Sequence, residues 1–160
     1  DVQAFAQHRA VARRGMQRVD VPQQRVDALT PNTPALWGKM NVAQMLSHCQ
    51  VVYQQILGEN HDKPGVFMGW MLRTFFKTSM VNDVPYKPNL PTGPTFIRLG
   101  QEFDISEEQQ KLKNYIAQIQ EMGPDQLASI PSLSLKKLTA EEWNNLLYKH
   151  LDHHLKQFGV

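Results

Sequence analysis

Three of the chain's six histidines fall in one short C-terminal stretch, "WNNLLYKHLDHHLKQFGV", as His150, His153 and His154. On an α-helix, residues i and i+4 stack on one face with Cβ atoms about 6 Å apart, so His150 and His154 can turn two imidazoles toward one ion. Trp143, Leu146, Leu147, Leu151, Leu155 and Phe158 recur at helical spacing and make that same face the buried one. A buried imidazolium is costly, and a neutral imidazole still needs hydrogen-bond partners. A divalent cation meets both demands by taking a ring-nitrogen lone pair. A carbonyl or side-chain partner meets them too, so spacing alone leaves a metal site and a set of satisfied core histidines in balance. His48, at the border of the buried stripe in "NVAQMLSHCQVVYQQI", is the natural third ligand if its helix neighbours the last one. His153 lies off the centre of the stripe and is expected either to support the site or to sit at the surface. His8 and His61 occupy polar surroundings and read as solvated.

Three neutral imidazoles would leave a divalent ion its full charge and an open position for water or thiolate, the pattern of a catalytic site more than of a closed structural one. Zinc, nickel, iron or manganese could occupy such nitrogens. No HExxH pattern is present, so a metalloprotease reading lacks its general base. Nor does a serine triad, a carboxylate pair or a glycine-rich phosphate loop stand out. Cys49 follows His48 directly and so points about 100° around the helix, which reads as core packing. Asp152 points largely away from His150 and makes a poor ligand. Trp37, Trp70, Phe75, Phe76 and Tyr86 could wall a substrate pocket, although aromatic residues in such stretches more often belong to the core.

The elements that must position these residues read as helices. A loose apolar stripe predicts an opening helix over residues 2–19, with a second start signal at Asp20 and Pro22. Asn41 with Gln44 resembles a capping box for the helix that carries His48, and Gly58 stops it. "VFMGWMLRTFFKTSM" predicts a short helix lying over the bundle. Pro85, Pro88, Pro91 and Pro94 recur at a three-residue interval, which predicts an extended, polyproline-like crossover. Ser106 with Gln109 reads as the cap of a further helix that Gly123 and Pro124 end, and Thr139 with Glu142 as the capping box of the last. The expected fold is all-α: a four-helix bundle with an additional short helix and a proline-rich crossover, in one domain spanning residues 1–160.

Composition narrows the classes. At 160 residues and 41% hydrophobic, the chain can bury a substantial core, and it has no stretch long enough to cross a bilayer. A net charge of +2, from 17 basic and 15 acidic side chains, gives a weak overall field and disfavours nucleic acid as a partner. Arg9, Arg13, Arg14 and Arg18 crowd "HRAVARRGMQR", and a solvated helical face explains them better than nucleic-acid binding does. The single cysteine excludes an intramolecular disulfide and suits a reducing compartment, so the cytoplasm is the default, while Asp1 in place of Met leaves a removed signal sequence open.

"LWGKMNVAQMLSHC" and, about a hundred residues later, "LTAEEWNNLLYKHLDHHLKQFG" together resemble the DinB-like superfamily, in particular a branch of uncharacterised bacterial proteins with WGKM…H and HxxHHxxQFG motifs. The resemblance covers roughly residues 20–160, includes "NLPTGP" of the crossover, and matches residues 1–19 only loosely. It implies a DinB-like four-helix bundle with a divalent metal held by His48, His150 and His154 in a pocket at one end, zinc or nickel being favoured. Members of the superfamily include transferases and isomerases in which such a metal activates bacillithiol, mycothiol or glutathione. The resemblance thus implies a metal-dependent enzyme acting with a low-molecular-weight thiol on a small-molecule substrate, and it admits a homodimer. A binding or structural module braced by its metal is the alternative of a different class.

Overall fold

The computed structural model of the protein describes residues 23–160. The opening helix expected over residues 2–19, the start signal at Asp20 and Pro22, His8 and the arginine cluster lie outside the described residues. Within them the chain is all-helical, and the closest approach to a strand is an isolated bridge between Ser132 and Lys136. No helix among the described residues is long and apolar enough to cross a membrane.

After a helical turn over residues 23–27, helix α1 runs over Val42–Ile56. The expected capping box starts it: Gln44 N donates to Asn41 Oδ1 at 2.9 Å, and Asn41 N donates to Gln44 Oε1 at 3.1 Å. Gly58, at φ 76°, follows its end in the left-handed conformation that favours glycine. Helix α2 (Val66–Met71), a π turn (Leu72–Phe76) and α3 (Lys77–Val81) then form one helical run. Only part of this run covers the interior, contrary to the expectation that it lies over the bundle. Leu72, Met80 and Val81 pack inward and α3 lies on the last helix, whereas Val66, Phe67, Trp70 and Phe75 are exposed.

The crossover from Asn82 to Asp104 has no core of its own, as expected, but it is not a continuous polyproline helix. Asn89 turns it at φ 61°, and Pro94–Phe96 forms a 3-10 turn. Helix α4 spans Ile105–Ser129, broken at Gly123, whose φ of 76° and ψ of 169° suit only glycine; Pro124 opens the short piece that follows. Its cap is Asp104 rather than Ser106, since Glu107 N donates to Asp104 Oδ1 at 3.0 Å. Gln109 is drawn away from any capping role by donating to the carbonyls of Val26 and Leu29. Helix α5 (Ala140–Gln157) begins with the capping box expected of Thr139 and Glu142.

Helix α1 packs along α4, and both touch α5. Met45, Leu46 and Cys49 of α1 meet Leu112 and Ile116 of α4 and Leu151 and Leu155 of α5 in the buried core. Two buried polar anchors hold the surrounding segments to α5. Asp152 accepts from Arg25 at 2.8 Å and pairs with Lys156 at 2.8 Å. Lys149 Nζ donates to the carbonyls of Ser79 and Asn82 at the C-terminal end of α3, where a cation opposes the helix dipole, and lies over the Tyr86 ring. These anchors fix the start of the crossover beside the histidine face of α5.

Candidate metal centre

Packing of α1 on α5 brings His48, His150 and His154 together. One ring nitrogen from each lies within 4.8 Å of the others, and this is the one group of potential metal-ligating side chains that meets that condition among the described residues. His48 and His154 are buried, and His150 is partly so. The rings stand edge to face, with centroids 4.5 Å apart for His48 and His154 and 4.9 Å for His150 and His154.

The hydrogen bonds set the tautomers. His48 Nδ1 lies 2.8 Å from the carbonyl oxygen of Phe96; only a protonated nitrogen can bond there, so Nδ1–H donates and Nε2 keeps its lone pair. His154 Nδ1 lies 2.8 Å from Gln157 Oε1, and Gln157 Nε2 donates to the Trp37 carbonyl at 2.7 Å. That second bond orients the carboxamide, so Nδ1–H of His154 donates to it and Nε2 of His154 is again the bare nitrogen. His48 Nε2 in turn faces His150 Nε2 at 3.0 Å. Two bare nitrogens at that distance repel, so either His150 donates a proton into the contact or both share a cation. Two nitrogens on a tetrahedral zinc, each about 2.0–2.1 Å from it, stand about 3.3 Å apart. The residues present therefore fit a divalent ion with only a small adjustment.

Electrostatics point the same way. Burial, followed by the charges that His154, His48 and His153 would carry, holds His150 well below the ordinary histidine range. Burial lowers His48 against the opposing Phe96 bond, and it lowers His154 to about 3. The neutral form that metal ligation requires is thus the resting form of all three.

His153 is not in the cluster; half-buried, its ring packs on Trp37 and Tyr86 and lies 5.0 Å from that of His154. Cys49 is core: it is fully buried, its thiol contacts Met45 Sδ, and burial pushes the thiol up, which disfavours the reactive thiolate. Asp152 is engaged by Arg25 and Lys156 and is no ligand. Of the aromatic residues expected as pocket walls, Trp37 lines a cleft that meets the cluster at His154, and Tyr86 touches His153. Trp70, Phe75 and Phe76 are solvent-facing and form no wall.

Three further residues contribute to the site. Phe96 acts through a backbone carbonyl, which leaves no signature in its side chain. Gln157, one helical turn beyond His154, was legible in principle from that spacing. Gly38, at φ 82°, has no room for a side chain: an added Cβ would lie 2.5 Å from Gln157 Nε2. The tryptophan-glycine pair of the first motif and the glutamine of the last are therefore one device that orients His154. No curated protein and no solved structure matches the chain. The model of one family, described as "Protein of unknown function (DUF1569)", matches residues 16–159, and the chain belongs to that family.

Proposed function

We propose that this protein is a divalent-metal-dependent enzyme of DinB-like four-helix-bundle architecture, with His48, His150 and His154 as ligands and a low-molecular-weight thiol as co-substrate. One observation carries the metal assignment: two of the three clustered imidazoles have Nδ1–H tied to a carbonyl oxygen, which leaves their Nε2 lone pairs unprotonated, and one ring nitrogen from each of the three lies within 4.8 Å of the others. An ion bound there would supply Lewis acidity, stabilising a thiolate or lowering the pKa of water, with zinc or nickel favoured over iron or manganese.

The chain's own residues do the rest. Phe96 and Gln157 hold the imidazoles in the ligating tautomer, and Trp37 holds Gln157. Burial keeps protons from competing for the nitrogens at neutral pH. Three ligands and no carboxylate in the cluster leave room for an exogenous donor, which favours an enzyme over a closed structural site. Cobalt-loaded, tag-free protein titrated with small thiols tests the reading. The expected result is a new sulfur-to-metal charge-transfer absorption. An unchanged spectrum, with chelation only lowering the melting temperature, would replace the thiol enzyme by a bundle braced by metal.

A further inference from the structure

The cleft that reaches His154 has a chemical character of its own. Its volume is about 260 Å³, just below the roughly 300–1,000 Å³ of pockets for drug-sized ligands, which limits it to a small molecule. Trp37, Phe96 and Leu90 supply apolar wall, while Lys39 and Arg98 supply charge, and no Asp or Glu lines it. Every described salt bridge lies elsewhere, so neither cation has a carboxylate partner among the described residues. The chain as a whole carries only +2, so two unneutralised cations in one small cleft are a local concentration rather than a share of a basic surface. Arg98 is positioned: its Nη1 donates to the Ile97 carbonyl at 3.1 Å and lies 3.4 Å from that of Thr95.

We propose that this cleft binds a small organic anion, with its carboxylate at Lys39 and Arg98 and its apolar body against Trp37 and Phe96, so that the far end of the molecule lies toward His154. The assignment of this anion as the substrate rests on the metal-enzyme reading above; the anion site itself does not. A charge-assisted hydrogen bond from each cation discriminates against a neutral analogue by about tenfold, and more where water is excluded.

The test uses metal-stripped protein and three probes of one shape: phenylacetate, 2-phenylethanol and phenethylamine, followed by chemical-shift titration. Phenylacetate is expected to bind at least tenfold more tightly than 2-phenylethanol, phenethylamine more weakly than either, with the preference shrinking as salt is raised. Lys39→Gln and Arg98→Gln should each remove about tenfold of phenylacetate binding and leave 2-phenylethanol unchanged. Arg98 also ties the crossover backbone, so the exposed Lys39 provides the variant whose folding is not in question. Equal binding of phenylacetate and 2-phenylethanol, or an unaltered preference in Lys39→Gln, overturns the proposal. Zinc binding is scored separately on the same samples. A chain that takes phenylacetate with this preference but no zinc supports the anion site while overturning the metal-enzyme reading.

Discussion

Replacing Gln157 by Leu isolates the device that orients His154. The side chain is 3% exposed and makes two hydrogen bonds, one accepted from His154 Nδ1 at 2.8 Å and one donated to the Trp37 carbonyl at 2.7 Å. Leucine fills similar space but leaves two polar groups without partners, each at a cost of about 1–3 kcal/mol, so the folded state should lose about 3 kcal/mol. For a chain of this size that corresponds to a melting temperature lower by about 6–12 °C. Metal affinity should fall about 10- to 100-fold, the usual effect of removing a group that orients a ligand. Gln157→Glu separates the two effects. A carboxylate still accepts from Nδ1–H and makes the imidazole a stronger donor, but it cannot donate to Trp37. Zinc affinity should then recover to near wild type while stability stays reduced. Competition against a chromophoric chelator reads the affinity, and thermal denaturation in excess chelator reads the stability. A folded Gln157→Leu variant with wild-type zinc affinity would refute the assignment of Nε2 of His154 as a ligand.

Other outcomes follow from the same geometry. His150→Ala or His154→Ala should abolish tight zinc binding, whereas His153→Ala and His61→Ala should leave most of it, as measured by calorimetry; equal loss at His153 would redraw the ligand set. Because burial lowers His48, His150 and His154, the unfolded chain takes up protons below about pH 6.5 that the folded chain refuses. The stripped protein should therefore lose stability as pH falls from about 6.5, by about 1.4 kcal/mol per pH unit for each histidine still neutral when folded. For His154 the loss continues toward pH 3, and urea midpoints flat between pH 6.5 and 5 would contradict it. Gly38→Ala should cost about 1–3 kcal/mol and weaken metal binding through Gln157, measured by the same melts and titrations.

What the sequence made legible was whatever depends on neighbours along the chain. The two capping boxes, Asn41 with Gln44 and Thr139 with Glu142, close within one turn and form as read. The convergence of His150 and His154 follows from helical repeat alone, and His48 joins them because its position on a buried stripe turns it toward α5. Ser106 with Gln109 shows the limit of such reading. The local pattern is a capping box, but Gln109 is worth more bridging to Val26 and Leu29, distant in sequence, and Asp104 takes the cap. The path of the crossover is likewise set by tertiary anchors such as Lys149, so nothing local announces that the Phe96 carbonyl arrives at His48. Apolar composition misled for the run around the π turn, where Trp70 and Phe75 face outward despite reading as core or pocket wall.

The proposed centre consists of three imidazoles that hold one divalent ion and leave it an open position. X-ray absorption on zinc-loaded, tag-free protein reads the ligand set, and metal analysis of the same sample gives the stoichiometry. The expected result is one zinc per chain, a scattering pattern of three imidazoles with one further light ligand, and a drop to two imidazoles in His48→Ala if any zinc is retained. Failure to retain stoichiometric zinc, or a pattern with fewer than three imidazoles in the unaltered protein, would contradict it.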